Sequence, residues 1–173
     1  MPQPIYRKDY EPSSHLIKTT ELDFNLGDEG TVVCSRIVFY KNPLVTKPVD
    51  DLFLNGESLE LLSIKIDGLN ANYELKDDGL FLLSPPDNFV LEIKVKIHPE
   101  SKTDLNGLYQ SSGNFCTQCE AMGFRQITYY LDRPDVLSAF TTTINANRDQ
   151  YPVLLSNGNL IKQSKEYSVW HDP

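Results

Sequence analysis

Two cysteines, an amide and a carboxylate stand close together in the stretch N-F-C-T-Q-C-E, at positions 114–120. Cys116 and Cys119 have the spacing of half a structural zinc site, and redox-active dithiols share that spacing. Gln118 and Glu120 carry oxygen acceptors two positions apart. The stretch by itself is therefore compatible with a metal site, a redox site or a binding site in which the cysteines are bystanders.

A zinc site would need two further ligands in addition to Cys116 and Cys119. Structural zinc is tetrahedral, and its four protein ligands usually include a second closely spaced pair. The sequence has no second Cys-x-x-Cys and no His-x-x-x-His, and its other candidate ligands are isolated and far apart: Cys34, His15, His98 and His171. We therefore expect no metal ligand and no bound cofactor in this chain.

The two thiols also lack the surroundings that make a cysteine reactive. A redox dithiol relies on a helix amino terminus within a βαβ unit, and the sequence shows no such pattern. A carboxylate beside Cys119 would raise a thiol pKa rather than lower it, and no histidine base stands near either cysteine. We interpret Cys116 and Cys119 as small buried side chains and expect no catalytic residue.

Gln118 and Glu120 allow two interpretations. In an extended segment, residues two positions apart point to the same side, so the amide and the carboxylate would face one common space. They then form either a solvated polar edge, which is the commoner case, or a clamp that accepts hydrogen bonds from an ammonium group. The residues alone leave both interpretations open.

The composition is that of a soluble globular chain with one domain. Of the 173 residues, 40% are hydrophobic and 23% are charged, which is enough to form a core without disulfides or metals. A formal charge of −8 without any Lys/Arg-rich block argues against nucleic-acid binding. The sequence has no signal-peptide core and no transmembrane run, and its cysteine count is odd. We therefore predict a cytoplasmic protein with no nucleic-acid or membrane partner.

The elements that must position these residues are strands. Residues 20–26 alternate apolar and polar side chains, and a turn at 27–30 leads into a second run rich in β-branched residues, which predicts a hairpin. Residues 89–97 alternate most clearly, so one face of that strand should be buried: Phe89, Leu91, Ile93, Val95 and Ile97.

Shorter strands are predicted over the rest of the chain. They cover residues 59–67, 71–76, 80–83, 140–146, 151–156 and 167–171, and Asn157-Gly158 predicts a hairpin turn after 151–156. No long helical stripe is present, so we predict an all-β antiparallel sandwich of nine or ten strands. Residues 101–136 interrupt this rhythm and are predicted to form one long functional loop.

Three runs of residues carry a resemblance to a known family: L-N-G-L-Y-Q-S at 105–111, C-T-Q-C-E-A-M-G-F-R-Q-I-T-Y-Y-L-D-R-P-D-V at 116–136 and Y-P-V-L-L-S-N-G-N at 151–159. In these runs, and along essentially its whole length, the chain closely resembles the bacterial aminopeptidase N group of the gluzincin zinc aminopeptidases. The resemblance implies a β-rich, saddle-like amino-terminal domain that packs on a catalytic domain. It also implies that Gln118 and Glu120 hold the free α-amino group of a peptide substrate.

The sequence departs from this family because the catalytic apparatus is missing. It has no His-Glu-x-x-His, no Gly-x-Met-Glu-Asn and no downstream zinc-ligating glutamate. The resemblance therefore implies that residues 1–173 are an amino-terminal domain that ends before the catalytic domain, with zinc and hydrolysis belonging to the parent enzyme. The alternative is a free-standing β-sandwich binding module of the same fold.

Overall fold

The computed structural model describes residues 6–46 and 50–173. Within these ranges, almost all of the regular secondary structure is strand. Three 3-10 turns accompany the strands, at Arg7–Asp9, Pro99–Ser101 and Phe124–Gln126. Thirteen strands are present: β1 (His15–Asn25), β2 (Thr31–Lys41), β3 (Asp51–Asn55), β4 (Glu60–Ile66), β5 (Leu69–Asn70), β6 (Tyr73–Lys76), β7 (Gly79–Leu83), β8 (Asn88–Ile97), β9 (Gly107–Ser111), β10 (Asn114–Gln118), β11 (Ala139–Asn145), β12 (Asn159–Gln163) and β13 (Tyr167–Asp172).

The strands form one large sheet and two small ones. The large sheet has the order β12-β13-β11-β1-β2-β8-β4-β5, a second sheet has the order β3-β7-β6, and β9 and β10 form a separate hairpin. Neighbouring strands are antiparallel, except that β1 and β11 are parallel. A parallel pair requires a long crossover, and the segment before β11 supplies it.

The alternation predicted for residues 89–97 is confirmed. The five apolar side chains predicted to share one face of β8 are all buried, while Glu92 and Lys94 on the other face are exposed. On the buried face β8 is in register with β2, where Val95 lies opposite Val33 and the Phe89 and Phe39 rings stack 4.8 Å apart. The predicted hairpin of β1 and β2 is also present.

The second sheet packs its apolar face against the same core. Leu54, Leu80 and Leu82 are fully buried there, and Leu52 is nearly so. Apolar faces from two sheets therefore meet in one core, which is the arrangement of a β-sandwich. The predicted all-β antiparallel sandwich is confirmed, with four short strands that the sequence did not predict: β3, β5, β9 and β10.

Residues 101–136 are not one long loop. They contain the β9–β10 hairpin, and a following irregular segment is buried in the core rather than exposed: Ile127, Thr128, Tyr129, Tyr130 and Leu131. The side chains of this segment fill the space between the sheets, which is why it is rich in aromatic and β-branched residues.

The strand predicted at 151–156 is wrong. This segment forms no strand, and Asn157-Gly158 instead packs against the end of β13, with the Cβ position of Gly158 only 2.2 Å from the His171 carbonyl oxygen. Pro152 has no N–H to donate to a neighbouring strand, and the Tyr151 N–H is already bonded to the Asn147 carbonyl at 2.8 Å. β12 therefore pairs with the strand that follows it, β13.

The amino-terminal segment is tied to the rest of the domain by Arg133 and Asp135. Arg133 donates to the Asp135 carboxylate (2.9 Å) and to the Glu11 carbonyl oxygen (2.8 Å), and the Tyr10 hydroxyl donates to the same carboxylate at 2.8 Å. The hydrogen bonds from Arg133 are the main cause that lowers the pKa of Asp135 to about 2, with the Tyr10 bond contributing.

Replacing Ile93 by alanine should lower the free energy of unfolding by roughly 2–5 kcal/mol, because a side chain only 2% exposed would leave a cavity. Chemical denaturation of the domain measures this. Lys94→Ala, on the exposed face of the same strand, is the matched control and should cost a few tenths of a kcal/mol. An equal loss from the two variants would mean that the strand faces are assigned incorrectly.

The Asp135 carboxylate should make a pH-dependent contribution to stability. Because its pKa is lower in the folded chain, the contribution is complete above the ordinary value near 3.8 and is lost as the pH falls through about 2. Asp135→Asn should cost up to about 1 kcal/mol at neutral pH, since the pair is partly exposed to solvent. Urea unfolding at several pH values should show the difference shrinking below pH 4. Asp87→Asn, which breaks an exposed pair with Lys41, controls for loss of a surface charge.

Candidate functional site

Gln118 and Glu120 lie where the β9–β10 hairpin ends. Gln118 is the last residue of β10 and lies opposite Gly107 of β9, while Glu120 is two residues further on, in a turn. The hairpin is closed by Ser112 and Gly113, which have φ angles of 50° and 80°, as a tight turn requires. Both candidate side chains are exposed to solvent.

The relation between the two side chains differs from the one predicted. The extended segment ends at Gln118, so the period-two argument does not reach Glu120. Instead, the Gln118 side-chain nitrogen donates to the Glu120 carbonyl oxygen at 3.3 Å, and the Glu120–Ala121 peptide bond is cis. A hydrogen bond and a turn, rather than strand geometry, therefore keep these two residues together.

The acceptor oxygens of the pair are unengaged. Within residues 6–46 and 50–173, the Glu120 carboxylate accepts no hydrogen bond and forms no ion pair, and the side-chain oxygen of Gln118 is likewise without a donor. The Gln118 amide oxygen at the end of β10 and the Glu120 carboxylate in the following turn are thus free to accept from a cation and have access to solvent. An ammonium group is a donor that matches such a pair.

Gly123 closes the turn that carries Glu120. Its N–H donates to the Cys119 carbonyl oxygen at 2.8 Å. A Cβ atom at position 123 would lie 2.4 Å from the Gln118 carbonyl oxygen and 2.4 Å from the Asn106 side-chain oxygen. The close approach of backbone at this point, and not an unusual φ angle, is therefore what requires glycine.

The thiols are less buried than predicted. Cys116 and Cys119 are both half-buried, although Cys119 packs against the hydrophobic core. Burial raises the pKa of the Cys119 thiol, and the charge of Asp132 adds to this effect while Lys102 opposes it. A raised pKa disfavours the thiolate, so the structure supports the interpretation of Cys119 as an unreactive side chain.

A polar cluster that the sequence did not predict lies directly after the turn. Arg125 Nε donates to Asp132 Oδ2 at 2.8 Å, and Arg125 Nη1 lies 3.7 Å from Glu57 Oε1. The neighbouring Gln126 donates to the other oxygen of Glu57 at 3.4 Å and accepts a hydrogen bond from Lys102. We define these five residues as the Arg125 cluster. Glu57 is 68 positions from Arg125, so no local spacing could have indicated the contact.

The candidate site is exposed to solvent. A concavity of about 500 Å³ lies on the solvent face of the large sheet, among residues such as Glu21, Arg36 and Lys94, and another lies at residues 146–149 and 163–166. Neither contains Gln118 or Glu120. A ligand bound to these two residues would therefore need another surface to enclose it.

The described residues contain neither a group of metal ligands nor a membrane-spanning helix. Within residues 6–46 and 50–173, no group of three or more His, Cys, Asp and Glu side chains could hold a metal ion. In the same ranges, no helix is long and apolar enough to cross a membrane. The described residues therefore offer no group of side chains arranged to hold a zinc ion.

Comparison with known proteins defines the class of this β-sandwich. The family model for the Peptidase M1 N-terminal domain matches residues 19–172, so the chain belongs to that family. It is 42% identical over 178 residues to aminopeptidase N of Escherichia coli (strain K12), and 42% identical over 180 residues to aminopeptidase N of Caulobacter vibrioides. Each alignment covers 99% of this chain and 20% of the relative.

Solved structures agree with this assignment. Legionella pneumophila aminopeptidase A, in a complex with aspartic acid, is 32% identical with a TM-score of 0.89, over 95% of this chain and 20% of that one. Leukotriene A4 hydrolase from Saccharomyces cerevisiae, at 18% identity and a TM-score of 0.69, shares the fold over 98% of this chain and 29% of its own. The chain thus spans about a fifth of the length of the aminopeptidases it matches.

Gly123→Ala should disturb the turn that carries Glu120, because the added methyl group would overlap the backbone of Gln118. We expect a loss of about 1–3 kcal/mol in stability and faster hydrogen exchange of the amide at position 123. Thr117→Ala, at an exposed position of β10 in the same hairpin, is the control. Unchanged exchange at position 123 in the Gly123 variant would show that the turn has room for a side chain.

Proposed function

We propose that this chain is the amino-terminal domain of a zinc-dependent aminopeptidase that releases amino-terminal residues from peptides. In this proposal the domain performs no catalysis and holds the α-amino group of the substrate through Gln118 and Glu120. The observation that carries the proposal is the pair of unengaged acceptor groups, the Gln118 amide oxygen and the Glu120 carboxylate, at the positions where the family resemblance places substrate contacts. Membership of the M1 family supports the reaction class.

The chemistry of the pair suits the recognition of a chain end. The free amino group of a peptide is an ammonium with three donors, and internal residues of a peptide have no such group. A carboxylate and an amide oxygen together can accept two of these donors. Charge-assisted hydrogen bonds contribute about 1.5–3 kcal/mol each, so the pair would select the chain end and fix its distance from the reacting bond.

We propose that a catalytic domain of the same protein completes the site. The candidate site is exposed to solvent, and the chain spans about a fifth of its aminopeptidase relatives. In those relatives the remaining length would provide the residues that hold zinc and activate water. Within this chain neither the sequence nor the described residues contain a set of ligands for zinc.

Exposed apolar side chains near the site fit a domain interface. Met122 in the turn is 60% exposed, and Val153 and Leu155 are 69% and 71% exposed. The segment with Val153 and Leu155 is held beside β10, because the Phe115 and Tyr151 rings lie 5.2 Å apart. Apolar surface next to an open polar site supports packing on the catalytic domain, which would bury the former and enclose the latter.

Two further parts of the proposal rest on the sequence. A cytoplasmic location is supported by the odd number of cysteines. The alternative function is a free-standing binding module that uses the same pair of acceptors. The reading frame that encodes this chain distinguishes the two, since only an aminopeptidase would continue into His-Glu-x-x-His.

Glu120→Gln should reduce kcat/KM of the full-length protein by about 100-fold or more, equivalent to about 2.7 kcal/mol. The substitution keeps the shape of the side chain and removes its charge, so the ammonium loses its strongest acceptor. Kinetics with an amino-acid anilide measure the effect, and zinc content and thermal midpoint should be unchanged. Glu92→Gln, an exposed carboxylate on β8, is the matched control. Near wild-type kcat/KM in the Glu120 variant would leave these residues as a solvated edge.

A further inference from the structure

We propose that Arg125 is a positioning residue for the Gln118–Glu120 acceptor pair, acting through the Arg125 cluster. The inference deepens the proposed function and rests on it, because it assigns a role to residues that do not touch the substrate. Arg125, Glu57, Gln126, Lys102 and Asp132 form the cluster, and none of them belongs to the acceptor pair itself.

Arg125 is held at its position by several contacts to Asp132. Its Nε donates to Asp132 Oδ2 at 2.8 Å, its backbone N–H donates to the same oxygen at 3.3 Å, and its Nη2 donates to the Asp132 carbonyl oxygen at 3.3 Å. The two side chains are only 13% and 11% exposed. Such a pair is poorly screened by water, and removing one partner would leave a buried charge.

The cluster also connects two parts of the chain that are far apart in sequence. Glu57 follows β3 of the small sheet, and its N–H donates to the Arg125 carbonyl oxygen at 3.0 Å. Its two carboxylate oxygens face Arg125 and Gln126 separately. Gln126 in turn accepts from the Lys102 ammonium, whose pKa is lowered by burial. The Arg125 cluster is thereby fixed to the β3-β7-β6 sheet through Glu57 and to the segment before β9 through Lys102.

The connection from the cluster to the acceptor pair runs through Gly123. The Gln126 N–H donates to the Gly123 carbonyl oxygen at 3.1 Å, and the Gly123 N–H donates to the Cys119 carbonyl oxygen at 2.8 Å. Cys119 lies between Gln118 and Glu120. Two consecutive backbone hydrogen bonds thus link Gln126 to the turn that carries the carboxylate, and displacement of residues 125–126 would move that turn.

The guanidinium group is needed here and an ammonium group would not replace it. Three different nitrogens of Arg125 contact three acceptors. Nε donates to an Asp132 carboxylate oxygen, Nη2 donates to the Asp132 carbonyl oxygen, and Nη1 forms an ion pair with the Glu57 carboxylate. A lysine has one nitrogen on a flexible stem and cannot span these acceptors at once. Arg125→Lys therefore keeps the positive charge of the cluster but cannot make all three contacts of the guanidinium.

A double-mutant cycle in the full-length protein distinguishes positioning from general stabilisation. The cycle compares kcat/KM of the wild type, Arg125→Lys, Glu120→Gln and the double variant on an amino-acid anilide. We expect Arg125→Lys to lower kcat/KM about 10-fold in the wild-type background, mainly through a higher KM, and to have almost no effect when Glu120 is already replaced. Arg36→Lys, which alters an exposed pair with Glu21, is the control and should leave kcat/KM unchanged.

Each outcome decides the proposal. An equal fold-change from Arg125→Lys in both backgrounds, or no change in either, would overturn the positioning role. If Glu120→Gln alone has no effect, the proposed function fails and the positioning role fails with it. If Arg125→Lys does not yield folded protein, Glu57→Gln replaces it in the same cycle, since Glu57 is 41% exposed and its loss is milder. The same non-additive result is then expected, and an additive one overturns the proposal.

Discussion

The fold depends on the burial of an irregular segment, residues 127–131, between two sheets. A buried segment outside regular structure must find partners for its backbone polar groups, since unpaired groups in the interior cost free energy. Tyr130 meets this requirement by exchanging two backbone hydrogen bonds with Asn55, at 2.8 and 3.0 Å. The Thr128 hydroxyl pairs with that of Ser35 at 2.9 Å, and the Tyr130 hydroxyl lies 3.1 Å from that of Thr20.

These contacts give the neighbouring exposed site a buried base. The Phe124 ring packs edge-on against Tyr130 at 4.6 Å, and Arg125 is clamped between Asp132 and Glu57. The turn with Glu120 lies directly before this buried base in the chain. In the proposed function, the polar groups that meet the ligand stay in water, while the packing that fixes them lies beneath. A binding site on a rigid base loses less conformational entropy when its ligand binds.

Much of the fold could be predicted because alternation along a strand is a local property of the sequence. β8 shows this most clearly: its five buried apolar residues were identified from the sequence alone, since a period of two places them on one face. The segment at 151–156 has similar local preferences but is not a strand, because its Tyr151 N–H bonds elsewhere and Pro152 has none to offer. Which hydrogen-bond partner a backbone N–H group finds depends on the tertiary structure.

The sequence by itself indicated the family and the all-β class, and it predicted Gln118 and Glu120 as site residues through a motif that is continuous in the chain. Only the tertiary structure decided how those residues are held. Glu57 reaches Arg125 from the end of β3 and Lys102 reaches Gln126 across 24 positions, and neither contact has a local spacing. Hydrogen bonds and ion pairs require proximity in space, and chain folding alone brings such distant residues together.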